Sequence, residues 1–276
     1  MNNKKSLLQR AAAAPHIVWS VLFIIAPLIF VIYYAFTDSE GKFTFENIAN
    51  LSQPSYLEIF LRSVCFAFLA TIICLVIAYP IAYFITKASP KTQKILIMLV
   101  MLPMWMNFLI RTYSWMALLE DSGIINTVLG FIGLGPIHMI NTEGAVILGM
   151  VYNFLPYMIL PIHSVLSKID TRLLEAASDL GCNHFQVITK VVFPLSIPGI
   201  ISGITMVFVP SISTFYISQK LGGGNFDLIG DTIERQFQTA YNYNLGAAMS
   251  FILMILIIIS MTIMNKYADD DGGVII

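Results

Sequence analysis

Charge is scarce in this chain of 276 residues. Only 11% of the residues are Asp, Glu, Lys or Arg, whereas 57% are hydrophobic and the mean hydropathy is +0.79. Because a soluble domain carries about 25% charged residues, this composition excludes an ordinary soluble protein and indicates a polytopic membrane protein. The formal net charge of −1 supplies no field that would attract nucleic acid, so we expect no nucleic-acid partner.

Cysteine and histidine are also few, at 3 and 4 residues. Cys65 and Cys74 lie in one apolar run and Cys182 lies in a polar stretch, which makes neither a disulfide framework nor a zinc site. The histidines are scattered without ligand spacing. We therefore expect no metal ion and no cofactor on this chain itself.

Acidic residues are missing from the middle of every long apolar run, since all 16 Asp and Glu map to loops, tails or the ends of runs. Proton-driven carriers place carboxylates near the middle of the membrane, so a separate energy source is favoured. The chain also lacks a G-x-x-x-x-G-K-[ST] phosphate loop and any Ser/His/Asp or Cys/His arrangement. These absences argue against a proton-driven carrier and against an enzyme.

Long apolar runs are what the chain has instead. Each of six is long enough to cross a hydrocarbon core about 30 Å thick as a helix. They predict an all-α membrane protein that forms one six-span domain at 16–266, between tails at 1–15 and 267–276. The predicted spans are 16–36, 61–86, 95–119, 145–166, 195–217 and 245–264.

Positive charge gives the orientation of these spans. If the N-terminus is cytoplasmic, ten of the 15 Lys and Arg residues lie on the cytoplasmic side. Cytoplasmic loops carry the excess of Lys and Arg, so we expect both termini and the loop at 167–194 in the cytoplasm.

That loop, between the fourth and fifth spans, has the pattern of two short helices. Asp170 or Thr171 can cap the first helix, and Gly181 can end it in a left-handed conformation. Asn183 and Gln186 have the spacing of a capping box for the second helix, and Pro194 is predicted to end it. Three apolar residues recur at i, i+4 and i+7 and are expected to pack back on the spans: Leu173, Ala177 and Leu180.

The same loop resembles the EAA signature of permease subunits of ABC importers, which reads E-A-A, three residues, G, nine residues, I-x-L-P. Here the sequence has Glu175-Ala176-Ala177, then Gly181, then Val191-x-Phe193-Pro194, with Val for Ile and Phe for Leu. The resemblance implies that the loop contacts a cytoplasmic ATPase, with Glu175 and Asp179 meeting it. The residues it assigns to coupling are Glu175, Ala176, Ala177, Asp179 and Gly181.

Three further stretches, at 102–115, 151–170 and 215–237, resemble the PotB-type permease subunits of bacterial spermidine/putrescine ABC importers. The likeness runs from about residue 16 to 265. It implies a multi-pass protein of the bacterial inner membrane that pairs with a second, homologous permease. It also implies two copies of an ATPase, which hold the ATP and Mg, and an extracytoplasmic polyamine-binding protein. Members of this family carry an acidic residue at the position of Gln219, where this chain has Gln219-Lys220.

A path for a polycation without buried acids needs weak contacts at several points, which aromatic faces can provide. We expect these cation contacts among Trp105, Tyr152, Tyr157, Phe215 and Tyr216. The external turn that receives the binding protein is expected at Gly222, Gly223 and Gly224. Any carboxylates would come from Asp227 and Asp231 or from the partner permease.

Arg111 is the one charge well inside an apolar run, and two interpretations of it stay open. It can snorkel to the interface or pair with Glu120 or Asp121, or it can contribute to a gate or contact the substrate. At the level of the whole chain, one alternative is an ABC permease for another solute, such as sulfate or a metal chelate. A stand-alone channel or secondary carrier is a further alternative.

Overall fold

The computed structural model describes residues 14–272, which are helices and loops with one isolated β-bridge between Thr37 and Phe43. The predicted all-α class is therefore confirmed for these residues. Of the predicted tails, residues 1–13 and 273–276 lie outside the described residues. In chain order the helices are α1 (Ala14–Ala35), α2 (Glu46–Asn50), α3 (Pro54–Lys87), α4 (Pro90–Trp105), α5 (Phe108–Leu119), α6 (Ile124–Phe131), α7 (Glu143–Leu166), α8 (Thr171–Asp179), α9 (His184–Ile212), α10 (Tyr216–Leu221), α11 (Ile229–Gln238) and α12 (Tyr243–Gly272).

Five of these helices are long and apolar enough to cross a membrane, namely α1, α3, α7, α9 and the part of α12 up to Met264. A sixth candidate is the pair formed by Pro90–Trp105 and the segment Phe108–Phe131. The chain separates into two compact units: residues 14–57 with 232–255, and residues 58–231 with 256–272.

The smaller unit is held by aromatic and polar contacts near the end of α1. The Phe36 ring lies 5.4 Å from Phe251 and 5.7 Å from Phe45, edge to face in both cases. Asn244 Nδ2 donates a 2.6 Å hydrogen bond to the carbonyl of Thr37. These contacts tie the end of α1 to the start of α12.

The larger unit is built on α7 and α9, which pack closely along each other. Small residues permit this approach. A Cβ added at Gly199 would lie 2.9 Å from the Pro161 carbonyl oxygen, and one at Gly203 would lie 2.6 Å from Met158 Sδ. Gly199 and Gly203 form a G-x-x-x-G pair, the pattern that lets membrane helices approach closely.

The predicted third span, 95–119, is broken by a sharp bend. The chain bends by 89° between Pro90–Trp105 and Phe108–Phe131. Pro103 near the end of α4 lacks an amide hydrogen, and Asn107 caps a new helix by accepting from the Leu109 amide at 2.8 Å. Asn107 therefore starts α5 in a new direction.

The predicted bounds of the fifth span, 195–217, also need correction. Pro194 does not end the second loop helix, because α9 runs from His184 to Ile212 as one helix. One π turn, Ile188–Val192, precedes the proline, and the Phe193 amide donates to the Ile188 carbonyl. The wider turn relieves the conflict between the proline ring and the helix before it. The helix then breaks after Ile212, and α10 follows from Tyr216.

Candidate functional site

Two regions at opposite ends of α9 hold the predicted coupling residues and the predicted residues of α10 and of the turn after it, and both lie in the larger unit. At the first, the predicted cap and stop of α8 are confirmed. Asp170 accepts a 2.9 Å hydrogen bond from the Arg172 amide. Gly181 has φ +85°, its amide donates to Ser178 at 2.9 Å, and the Cys182 amide donates to Ala177 at 3.1 Å. This pair of bonds is the Schellman arrangement, which requires the left-handed conformation that glycine adopts most easily.

The start of α9 is fixed by the capping box. Asn183 Oδ1 accepts from the Gln186 amide and Gln186 Oε1 accepts from the Asn183 amide, each at 2.9 Å. This prediction from the sequence is confirmed. The two helices thus meet at a turn in which each successive residue has a defined hydrogen-bonding role.

The apolar face predicted for α8 is wrong in two of its three residues. Ala177 is buried, but Leu173 is 50% exposed and Leu180 is 87% exposed. Leu180 is the C-cap residue beyond the last helical turn, so the helical period does not carry its side chain to the buried face. Leu174, three residues before Ala177, packs against the core instead.

What α8 and the start of α9 expose is a mixed surface. It combines three large apolar side chains with two carboxylates, and we call it the coupling surface: Leu173, Glu175, Asp179, Leu180 and Phe185. Phe185 is 73% exposed. Ala176 is exposed beside these residues, whereas Ala177 and Gly181 support the surface rather than present a side chain on it. Exposed apolar groups rimmed by charge are typical of a protein-binding surface.

At the other end of α9, rings from α5 and α10 come together. The Tyr216 ring lies 6.0 Å from Phe108 and 6.2 Å from Tyr113. We call Phe108, Tyr113 and Tyr216 the aromatic cluster. Lys220 places its Nζ 5.7 Å from the Tyr113 ring centroid and 5.8 Å from that of Tyr216.

Of the five predicted pathway aromatics, only Tyr216 joins this cluster through the ring contacts of the described residues. Tyr152 pairs with Trp115 at 5.2 Å, and Tyr157 lies 6.4 Å from Phe154. The remaining two candidates are Trp105, 71% exposed at the end of α4, and Phe215, half exposed at the start of α10.

Phe108 and Tyr113 were not among the predicted contacts. The sequence feature that could have indicated them is Asn107, a capping residue inside an apolar run. It starts a new helix, α5, which carries both rings. Their approach to Tyr216 depends on the packing of α5 against α10, which joins segments about a hundred positions apart.

Arg111 does not pair as predicted. The residue is 8% exposed, and its guanidinium carbon lies 5.8 Å from the Phe108 ring. Asp121 pairs instead with His138 at 2.9 Å. Within residues 14–272, Arg111 Nε and Nη1 are buried without a hydrogen-bond partner. Snorkelling to solvent is therefore also wrong for this side chain.

Close packing explains why glycine occupies the first two positions of the turn after α10. A Cβ at Gly222 would lie 2.6 Å from the Ser218 carbonyl oxygen, and one at Gly223 would overlap the Asn141 side chain. Gly224, with φ +75°, has open space around it. A contact between this turn and a binding protein stays a prediction.

Asp231, expected as an external carboxylate, is buried. It accepts hydrogen bonds from Ser218 Oγ at 2.9 Å and from the Leu228 amide at 3.0 Å. The carboxylate therefore holds the turn between α10 and α11. Asp227 is half-buried.

Comparison with known proteins shows which family this chain resembles. Residues 7–271 match the family described as binding-protein-dependent transport system inner membrane component. The spermidine/putrescine transport system permease protein PotB of Haemophilus influenzae is 40% identical over 264 residues, covering 93% of this chain and 91% of that protein. PotB of Escherichia coli is 38% identical over 246 residues, covering 86% of this chain and 90% of that protein.

Solved structures share the fold. A chain of a bacterial ABC transporter involved in the import of the acidic polysaccharide alginate superposes with a TM-score of 0.83 at 18% identity, covering 97% of this chain and 96% of that chain. An inward-facing structure of the MetNI methionine ABC transporter superposes with a TM-score of 0.59 over 78% of this chain and 95% of that chain. The match over residues 7–271, together with the identity to two permeases over most of their length, shows that this chain belongs to the family of inner membrane components of binding-protein-dependent transport systems.

Proposed function

We propose that this chain is the transmembrane permease subunit of an ATP-driven importer of spermidine and putrescine and forms half of its translocation pathway. The observation that carries the proposal is the 40% identity, over 93% of the chain, to a permease named for transport of both amines. The chemistry of the aromatic cluster agrees with it, since ring faces attract ammonium groups and carry no charge that needs desolvation.

The rest of the pathway and the energy source belong to partners in this proposal. A second, homologous permease completes the path, and two copies of a cytoplasmic ATPase bind ATP and Mg. An extracytoplasmic binding protein delivers the amine to the turn at Gly222–Gly224. The chain itself performs no catalysis.

We propose that the coupling surface faces the cytoplasm and docks on the ATPase. Exposed cations accompany this end of the larger unit, as the positive-inside bias requires: Lys87, Lys91, Lys94, Lys168, Arg172 and Lys190. The exposed Leu180 and Phe185 offer the apolar contact that a protein partner would bury, and Glu175 and Asp179 offer ion pairs at its edge.

The substrate assignment is tested by uptake of labelled spermidine and putrescine in cells that lack other polyamine importers and express the complete system with its own binding protein. ATP-dependent uptake of at least one amine is expected. Uptake of neither amine, with all subunits present in the membrane, would reject the assignment.

The coupling role is tested in the same cells with Gly181→Leu and Glu175→Lys. Both variants are expected to reach the membrane but to lose ATP-dependent uptake, because the first strains the turn at φ +85° and the second reverses a charge on the coupling surface. Gly130→Leu is the matched control, since Gly130 has no heavy atom within 4 Å of an added Cβ. Full uptake by both variants would remove the coupling role.

A further inference from the structure

Lys220 contacts two rings from two different helices. Its Nζ lies 5.7 Å from the Tyr113 ring centroid and 5.8 Å from that of Tyr216, within the ~6 Å at which a cation and a ring attract. Tyr216 precedes Lys220 by four residues on α10, so the helix places both on one face. Tyr113 is brought to them by the packing of α5 against α10.

The side chain of Lys220 has the chemistry of one end of the proposed substrate. Lysine ends in a primary ammonium on a flexible four-carbon stem. Putrescine is a primary ammonium at each end of four carbons, and spermidine has such an aminobutyl end. A ring pair that accepts the first group has the same attraction for the second.

We infer that Lys220 is a tethered competitor for the transported amine, an inference that rests on the polyamine import proposed above. Its ammonium occupies the ring faces on which a terminal ammonium of the polyamine binds, and the polyamine enters by displacing it. Lys220 thereby lowers the affinity of the aromatic cluster for the polyamine.

The surroundings permit this exchange. Lys220 is half-buried and Tyr113 is half exposed, so the ammonium can leave the rings while α10 stays folded. The guanidinium carbon of Arg111 lies 5.8 Å from the Phe108 ring, and Phe108 lies 6.0 Å from Tyr216. A polyamine at the rings thus meets fixed positive charge from Arg111 and the displaced Lys220. This repulsion keeps its stay short, as conduction through a path requires.

The test compares Lys220→Met, which keeps the length of the stem and removes the charge, with Lys220→Arg, which keeps a cation. Lys42→Met is the matched control for loss of one positive charge, because Lys42 is exposed and pairs with Glu40. Binding of labelled spermidine is measured on the purified permease–ATPase complex without binding protein. Uptake is measured with the complete importer.

We expect Lys220→Met to bind spermidine about 3- to 10-fold more tightly, the range that one lost competing cation contact gives, and to transport it with a lower maximal rate. Lys220→Arg and Lys42→Met should bind within about 2-fold of the wild type, on the same contact-energy reasoning. Adding Tyr216→Leu to Lys220→Met should abolish the gain in binding, because it removes one of the two rings.

The possible failures are distinct. If the wild-type importer moves spermidine but Lys220→Met binds it no more tightly than the wild type, the competitor role is wrong and the proposed function stands. A gain that persists with Tyr216→Leu also overturns the inference, since the rings are then not the site. If the wild type moves neither polyamine, the proposed function fails and the inference fails with it.

Discussion

Two neighbouring glycines show how much depends on a single missing side chain. Gly223 and Gly224 both have positive φ, at 61° and 75°. Their surroundings differ, because a Cβ at Gly223 would overlap the Asn141 side chain and one at Gly224 would meet nothing within 4 Å. The pair separates the cost of backbone strain from the cost of a clash.

The expected result is that Gly223→Ala destabilises the protein more than Gly224→Ala. Both substitutions pay about 1–2 kcal/mol for a left-handed alanine, but only the first also has to displace Asn141. Thermal unfolding of the detergent-purified protein, followed by intrinsic fluorescence, measures the difference. Equal melting temperatures would mean that the turn relaxes freely around Asn141.

At the scale of helices, the two glycines of α9 that face α7 give a similar contrast. An added Cβ at Gly199 meets the backbone oxygen of Pro161 at 2.9 Å, whereas one at Gly203 meets the thioether of Met158 at 2.6 Å. A thioether can move to another rotamer, but a helix backbone cannot. We therefore expect Gly199→Ala to lower the melting temperature more than Gly203→Ala, although the contact at Gly199 is the longer of the two. The reverse order would show that Met158 is held rigidly.

The capping box at the start of α9 gives a second prediction at this scale. Asn183→Ala removes the side-chain acceptor for the Gln186 amide, which costs about 1 kcal/mol. Hydrogen–deuterium exchange of the peptide covering 183–190 should become faster. Thr189→Ala in the same peptide is the control: its hydroxyl donates to the carbonyls of Phe185 and Gln186, so the change removes no acceptor of a backbone amide, and exchange should not accelerate. Unchanged exchange in Asn183→Ala would show that other contacts fix this end.

The helix caps of the coupling region could be predicted from the sequence because they depend on local hydrogen bonds. The cap at Asp170, the stop at Gly181 and the capping box at Asn183 each depend on neighbours within a few positions. Such features can be recognised from spacing alone. The exposure of Leu180 depends on where α8 ends, because Leu180 is its C-cap residue and lies beyond the last helical turn.

Local sequence patterns could not predict the bend at Asn107 or the cluster around Tyr216. A single asparagine in an apolar run carries too weak a signal to break a predicted span. The approach of Tyr113 to Lys220 joins residues from α5 and α10, and only tertiary packing determines it. Spacing in the sequence therefore predicted the caps and the turn of the coupling region, whereas the ring contacts around Tyr216 arise from tertiary packing.

For the whole molecule, the excess of Lys and Arg predicts an orientation with the coupling surface in the cytoplasm. The chain shares its fold with the alginate transporter chain at only 18% identity, so the topology follows from the arrangement of apolar helices rather than from particular residues. Ser178 on α8 and Asn225 after α10 are exposed and lie toward opposite ends of the larger unit. They can report which end faces the cytoplasm.

We expect Asn225→Cys to react with a membrane-impermeant maleimide in intact spheroplasts and Ser178→Cys to react only after permeabilisation. The background carries Ala at Cys65 and Cys182 and keeps Cys74, which is buried. Labelling of Ser178→Cys in intact spheroplasts would place the coupling surface outside and exclude a cytoplasmic ATPase as its partner.

Because α9 continues through Pro194, one helix connects the coupling surface to the region of the aromatic cluster. Its 29 residues, His184–Ile212, span about 43 Å at ~1.5 Å per residue. One end of the helix carries part of the coupling surface, and the other leads within a few residues to Tyr216. If the helix tilts as one body about its end at His184, a tilt of about 5° moves the far end by roughly 4 Å, from the same rise per residue. Attraction between an ammonium and a ring fades beyond ~6 Å. A tilt of a few degrees at one end of α9 is therefore enough to form or remove the contact between a cation and a ring at the other end.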